Sequence, residues 1–214
     1  MGAALASTRT AFARMRAKSV AGKVSVGPAP VRVSITPDGA FAYVSNQDSN
    51  YLSIIDTATR TVVATVAVGA RPYGAAFSPD GSRAYVVVNG TNSVAVIDTA
   101  TKVVVVTVVV GSSPTDAAMT ADGAFVYVNN ENSNTVSAIN TSTNSVVATI
   151  PVGSFPSVLA ITPDQGFVWV SNYLSNTESI IDRATNTVTG TVAVGSNPVG
   201  IVFTRHPVPA ALKP

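Results

Sequence analysis

Apolar segments of strand length alternate with short polar segments along most of this chain, and the alternation repeats at a fixed interval. Five Val-Gly pairs mark the repeats, and a proline follows each glycine three residues later. The glycines lie 42 residues apart: Gly27, Gly69, Gly111, Gly153 and Gly195. No helical periodicity accompanies this spacing, so the repeated part is predicted to consist of β-strands.

Each repeat divides into four predicted strands. In the first repeat they are "VRVSITP", "AFAYVSN", "YLSIID" and "TVVATVAV". A Pro-Asp-Gly turn joins the first two strands and "DTAT" joins the last two. A repeat of about 40 residues with four strands predicts a blade of a β-propeller, which is an all-β fold. One blade exposes two apolar faces, and stacking of blades buries both.

Two positions that recur in every repeat are predicted to be structural. The aspartates of the first turn are predicted turn formers: Asp38, Asp80, Asp122 and Asp164. The aromatic residues of the second strand are predicted to lie in the core between blades: Tyr43, Tyr85, Tyr127 and Trp169.

The number of repeats raises the question of how the propeller closes. Four complete blades are predicted at 26–67, 68–109, 110–151 and 152–193, with a partial blade at 194–204. "KVSV" before them is predicted to be a fourth strand, and "VGIVFT" after them a first strand. Three arrangements stay open: an arc completed by a second copy, a fragment of a longer propeller, or a strained ring of four. We favour an arc over the closed ring.

The outer edge of the second blade predicts association. Its segment "KVVVVTVVV" has a single charge. An uncovered valine edge is a template for pairing with another chain. Self-association through edge strands or open blade faces is therefore expected.

Composition excludes several classes of protein. The 214 residues include no cysteine, which rules out disulfides and thiolate zinc sites. No apolar run reaches the length of about 18 residues that a membrane-spanning helix needs. Residues 38–214 contain seven basic and eleven acidic residues and therefore carry a net charge of −4. This body offers no basic stripe for nucleic acid.

The two ends differ from the repeats. Residues 1–23 are rich in alanine, contain several arginines and lysines, and lack acids, so we predict a helical or disordered basic arm. This arm has no apolar segment typical of a signal peptide. Residues 205–214 contain three prolines and are predicted to be a disordered tail.

Candidate chemistry is sparse. His206 is the only histidine and lies in the tail, so the body has no Ser-His-Asp triad or histidine metal site. We predict no catalytic residue, metal or cofactor. Arg32 and Asp116 occupy equivalent positions on first strands, which line the central channel of a propeller, and are predicted to face it together.

The loops between the second and third strands supply the other binding candidates, although turn formation is the favoured role for their asparagines. These candidates are Asp48, Asn50, Asn89, Asn130, Glu131, Asn132 and Tyr173.

The strings "YVSN", "YVVV", "YVNN" and "WVSN" sit in a constant frame with "TPDG" or "SPDG" before them and "IDTAT" and "VVATVAVG" after them. This frame resembles the YVTN β-propeller repeat over residues 24–204. Departures from it occur at turns, among them Ala121, Asn140 and Gly166. The resemblance implies a propeller common in surface-layer and exported proteins.

Function follows from the resemblance together with the sparse chemistry. We expect a non-catalytic scaffold that binds a protein or a small polar ligand at its blade loops, outside the cell or on its surface. The alternative is a lactonase-like enzyme or a propeller domain of a larger redox enzyme. That alternative requires acids, histidines or metal ligands from several blades to converge at the channel mouth.

Overall fold

A computed structural model of the protein describes residues 22–203. The tail at 205–214 and nearly all of the arm predicted at 1–23 lie outside the described residues. Sixteen strands and two short 3-10 helices form within the described range, which confirms the all-β propeller fold. No helix among the described residues has the length and apolar character needed to cross a membrane.

The strands form four antiparallel sheets of four, each following chain order, and we call these sheets blades 1 to 4. Blade 1 contains β1 (Pro30–Ile35), β2 (Phe41–Asn46), β3 (Tyr51–Asp56) and β4 (Thr61–Ala67). Blade 2 contains β5 (Pro72–Phe77), β6 (Arg83–Val88), β7 (Ser93–Asp98) and β8 (Val103–Val109). Blade 3 contains β9 (Pro114–Met119), β10 (Phe125–Asn130), β11 (Thr135–Asn140) and β12 (Ser145–Pro151). Blade 4 contains β13 (Pro156–Ile161), β14 (Phe167–Asn172), β15 (Thr177–Asp182) and β16 (Thr187–Ala193).

The first strand of each blade contacts the first strand of the next, so β1, β5, β9 and β13 form the inner wall of an arc. The fourth strands form its outer edge. Every blade has a β-bulge at the same position in the pairing of its third and fourth strands, where the register shifts by one residue. In blade 1 the shift lies between Ile54 and Ile55. Such bulges increase strand twist.

The turn aspartates act as predicted. Asp38 Oδ1 accepts hydrogen bonds from Thr36 Oγ1 at 2.6 Å and from the Ala40 amide at 2.9 Å. Gly39 adopts a positive φ of 73°, which glycine tolerates without strain. At Asp80, the hydroxyl of Ser78 and bonds from Ser82 lower the pKa to about 2. Asp122 and Asp164 accept bonds of the same kind.

Three apolar clusters fill the three interfaces between blades. The tyrosines of the second strands lie in them as predicted: Tyr43, Tyr85 and Tyr127 are at most 2% exposed. The Tyr43 ring meets Phe77 of the next blade edge to face, with centroids 5.0 Å apart. Trp169, on blade 4, is only half-buried.

The arc is open, as favoured, and does not close into a ring of four. Both predicted terminal strands are wrong: the "KVSV" segment and residues 194–203 form no strand. A strand needs a hydrogen-bonded neighbour, and neither segment pairs with one among the described residues. The last segment nevertheless occupies the place of an inner strand. Phe203 packs edge to face on Trp169 at 6.1 Å, the repeat equivalent of Phe77 on Tyr43.

Candidate binding site on the inner wall

Arg32 and Asp116 meet on the inner wall of the arc. Arg32 lies on β1 and Asp116 on β9, with Gly74 at the equivalent position on the intervening β5. A Cβ on Gly74 would stand 3.6 Å from Asp116 Oδ1, so any larger side chain would fill this space. Across the glycine, Arg32 Nη1 comes within 3.8 Å of Asp116 Oδ1. The structure thus brings together the two charges expected to share the channel.

The two partners differ in their access to water. The Arg32 side chain is 44% exposed, whereas that of Asp116 is 16% exposed. Burial raises the pKa of Asp116, and the nearby Arg32 charge acts in the opposite direction. The Leu159 amide also donates a long bond of 3.4 Å to Asp116 Oδ2. Because all these contacts are long, Asp116 keeps acceptor capacity for a ligand.

Asn129, on β10, organises the wall around Asp116. Its Oδ1 accepts a bond of 2.6 Å from the Asp116 amide, and its Nδ2 donates to Thr115 Oγ1 at 3.1 Å and to the Pro156 carbonyl at 2.7 Å. Sequence reasoning missed this residue. The available signal was that Asn129 replaces a serine or valine at its position in the other three repeats.

Glu131 lies beside the same wall and is half-buried. Burial raises its pKa, and a hydrogen bond with Thr115 opposes that shift. Blade 3 therefore contributes two carboxyl groups with raised pKa values, Asp116 and Glu131, together with the amide of Asn129. Polar character on the inner wall is concentrated there.

The loop asparagines between the second and third strands hold neighbouring segments of the fold. Asn50 has a φ of 61° and accepts from the Arg71 amide at 3.4 Å. Asn92 and Asn134 accept in the same way from the loop that enters the next blade, and Asn176 accepts from the segment after blade 4, at 2.8 to 2.9 Å. This recurrence in every repeat indicates a structural role for Asn50.

The remaining candidates are dispersed. Asp48 is exposed in the 3-10 helix Gln47–Ser49. Asn89 donates to the Pro114 carbonyl at 3.1 Å, and Asn132 donates to Ser113 Oγ at 2.7 Å. The Tyr173 ring packs on Phe155 at 5.9 Å. Asn130 is fully buried and donates to Ser137 Oγ at 3.0 Å, so it does not face a ligand at the loops.

No group of three or more acidic or histidine residues within 22–203 is placed to hold a metal ion. The inner wall offers one exposed cation and one shielded carboxyl group to a ligand, while the fully buried Asn129, whose amide donors are both engaged, holds Asp116 in place. These groups are suited to hydrogen bonding with a small polar molecule.

A family model described as a YNCE-like β-propeller matches residues 112–207. That range covers blades 3 and 4 and the segment after them, and the match supports a β-propeller family. A search of curated proteins finds no significant match.

Solved structures resemble nearly the whole arc. Hydrazine synthase of Kuenenia stuttgartiensis shares 26% identity at a TM-score of 0.79, over 87% of this chain and 56% of that chain. A functionally unknown protein of Desulfotomaculum acetoxidans shares 20% identity at a TM-score of 0.75, over 85% of this chain and 61% of that chain. The Cps50 (Swd1) β-propeller domain of Myceliophteria thermophila shares 12% identity at a TM-score of 0.72, over 83% of this chain and 59% of that chain. The last two show the fold alone. This chain spans 56–61% of the lengths of these three chains.

Proposed function

We propose that the chain is a non-catalytic β-propeller scaffold that binds a small polar ligand or a protein. The observation that supports this most directly is the Arg32–Asp116 pair, which places opposite charges 3.8 Å apart on the inner wall. A ligand with both an acceptor and a donor would satisfy the pair better than their long mutual contact does. Export or display at the cell surface is part of the proposal and rests on the YVTN resemblance.

A thermal-shift screen tests the ligand proposal. A compound that binds only the folded chain raises its melting temperature, so polar zwitterions and sugars serve as probes. Probes that bind the wall are expected to lose their effect in both Arg32→Ala and Asp116→Asn. Asp48→Asn is the matched control, since it removes a carboxylate from an exposed loop. Shifts that persist in both wall variants would contradict binding at this pair.

An enzyme is the second candidate function. Asp116 and Glu131 both have raised pKa values, and a perturbed carboxyl group in a cleft is a general-acid candidate. The likeness to hydrazine synthase of Kuenenia stuttgartiensis fits a domain of a larger redox enzyme. Lactone hydrolysis that disappears in Asp116→Asn would favour the enzyme over the scaffold.

Self-association belongs to the same proposal. Val33 and Ile35 on blade 1 are 61% and 60% exposed, although their equivalents on later blades pack against the preceding blade. A second chain that covers this face would bury the same positions. Light scattering on the purified chain tests this: a dimer supports pairing of arcs, and a monomer at all concentrations contradicts it.

A further inference from the structure

A groove runs between blades 1 and 2 on the side of the arc that carries the Pro-Asp-Gly turns. It encloses a cavity of about 440 Å³. The aromatic residues Phe41 and Tyr43 of β2 form one wall, and Lys102 of the turn between β7 and β8 lies opposite. Pro37 and Pro79 add apolar surface. This volume is within the range of small-molecule sites, which are mostly apolar with a few convergent polar groups.

The same groove between later blades is bridged by an asparagine. Tyr85 Oη donates to Asn144 Oδ1 at 3.1 Å, and Tyr127 Oη donates to Asn186 Oδ1 at 2.9 Å. Each asparagine is the last residue of the turn before the fourth strand of the next blade. In the first groove that position is Lys102, which has no acceptor atom in its side chain.

The first groove therefore contains two donors that lack acceptors. Among residues 22–203, the Tyr43 hydroxyl donates to no protein acceptor but is open to water, and Lys102 forms no ion pair. The Lys102 ammonium instead lies 5.7 Å from the centre of the Phe41 ring. Burial raises the pKa of Tyr43, so its hydroxyl stays protonated and can donate.

The backbone at Lys102 favours asparagine over lysine. Its φ is 60°, in the left-handed region where asparagine and glycine are enriched. Asn144 and Asn186 adopt the same conformation, with φ values of 49° and 53°. Lys102 thus removes the acceptor that asparagine gives the tyrosine in the other grooves, and leaves the Tyr43 hydroxyl free for a ligand.

We propose that this groove binds a small monocarboxylate with an aromatic or branched apolar body. One carboxylate oxygen takes the position that the asparagine Oδ1 holds in the other grooves and accepts from Tyr43 Oη. The carboxylate also pairs with the Lys102 ammonium. The Lys102 side chain turns from the Phe41 ring toward the carboxylate, and the apolar body of the ligand packs on that ring instead.

Two carboxylates at the rim disfavour a ligand with more than one negative charge. Asp38 and Asp80 line the cavity, and both are exposed. Hydrogen bonds from Thr36 and Ser78, respectively, lower their pKa values, so both are ionised at neutral pH. The two rim carboxylates would repel the additional negative charge of a phosphate or a dicarboxylate. A monocarboxylate can pair with Lys102 while its apolar part faces the two prolines.

Titration of the ¹⁵N-labelled chain with phenylacetate tests the site. We expect saturable shifts of the Phe41, Gly81 and Ala100 amides, with a Kd of about 1 mM for a ligand of this size. In Lys102→Asn the affinity should fall by at least about tenfold, since an intramolecular Tyr43–Asn bond replaces the ligand. Tyr43→Phe should weaken binding by several-fold.

Arg60→Asn is the matched control variant. Arg60 occupies the same turn position in blade 1, with a φ of 59°, and it does not line this groove. It removes the same charge and should leave the affinity for phenylacetate unchanged. 2-Phenylethanol and phenethylamine, which lack the carboxylate, should bind at least about tenfold more weakly than phenylacetate.

Three results would overturn the proposal: no amide shifts in the groove at 20-fold the expected Kd, equal affinity in Lys102→Asn and Arg60→Asn, or equal affinity for the alcohol or the amine. Thermal unfolding of each variant verifies that the fold is intact. Asparagine already occupies the equivalent position in blades 3 and 4, so Lys102→Asn is expected to fold.

Discussion

Blades 2 and 4 present the same face of the repeat to different surroundings. Blade 3 covers the face of blade 2, where Val94 and Val108 are 0% and 6% exposed. The equivalent residues of blade 4 are Glu178 and Val192, at 7% and 41%. Among the described residues, only the segment up to Phe203 lies in the place of a next blade there. The backbone fold of the repeat is the same in both blades, while the side chains on this face differ according to whether another blade packs on them.

Val192 shows the difference in exposure, whereas Glu178 stays buried and differs from its equivalents in chemistry. A carboxyl group stands at a position that is leucine or valine in the other three blades. Its Oε1 accepts from Ser171 Oγ at 2.8 Å, and its buried Oε2 has no partner among the described residues. This unpaired atom is already costly where it stands, because burial of an unpartnered polar group is unfavourable, and a fully covered interface would remove the little access to water that Glu178 keeps.

Substitution at the equivalent positions Val94 and Glu178 should give the largest difference in unfolding free energy. Val94→Glu places a carboxylate in a fully covered core and should cost about 3–5 kcal/mol of unfolding free energy, or prevent folding. Glu178→Val should leave that free energy within about 1 kcal/mol of the parent or raise it. Urea unfolding followed by the fluorescence of Trp169, the only tryptophan, measures both. Similar losses in the two variants would contradict a difference in coverage.

A smaller effect should separate the two valines. Val108→Ala removes buried methyl groups next to blade 3 and should cost about 2 kcal/mol. Val192→Ala, at the open end, should cost less than about 0.5 kcal/mol. The two substitutions are chemically identical and sit at one repeat position, so each is the control for the other. Equal losses in urea unfolding would mean that the blade 4 face is covered as fully as that of blade 2.

The same contrast explains what the sequence predicted about the fold. The 42-residue spacing predicted four blades of four strands because each strand and turn depends mainly on its own repeat. The turn at Asp38, for example, is closed by hydrogen bonds within five residues. The end segments were mistaken for strands because "KVSV" and "VGIVFT" share the composition of real strands. Their pairing depends on a neighbouring strand, which composition does not encode.

The candidate site was predicted only in part. Arg32 and Asp116 were placed together because equal repeat positions on inner strands share one wall. Asn129 was missed because the sequence shows "NN" without indicating which asparagine bonds to the Asp116 backbone. Asn130 was predicted to be a loop residue, but it is the last residue of β10 and its side chain is buried. Lys102 stands out only when its equivalents, Asn144 and Asn186, are known to bind tyrosines.

The smallest expected effect is a pH dependence at the buried Glu178 of blade 4. Burial raises the pKa of Glu178, so the folded chain keeps this proton to a higher pH than the unfolded chain. Stability from this group is therefore greatest below the unfolded value of about 4.3 and is lost as pH rises through the folded pKa. Glu178→Gln should become more stable relative to the parent as pH increases across that window, as measured by urea unfolding. Asp38→Asn is the control of opposite sign: hydrogen bonds lower the pKa of Asp38, so the stability it provides is lost as pH falls. A difference between Glu178→Gln and the parent that does not vary with pH would mean that water reaches the carboxyl group in the folded chain.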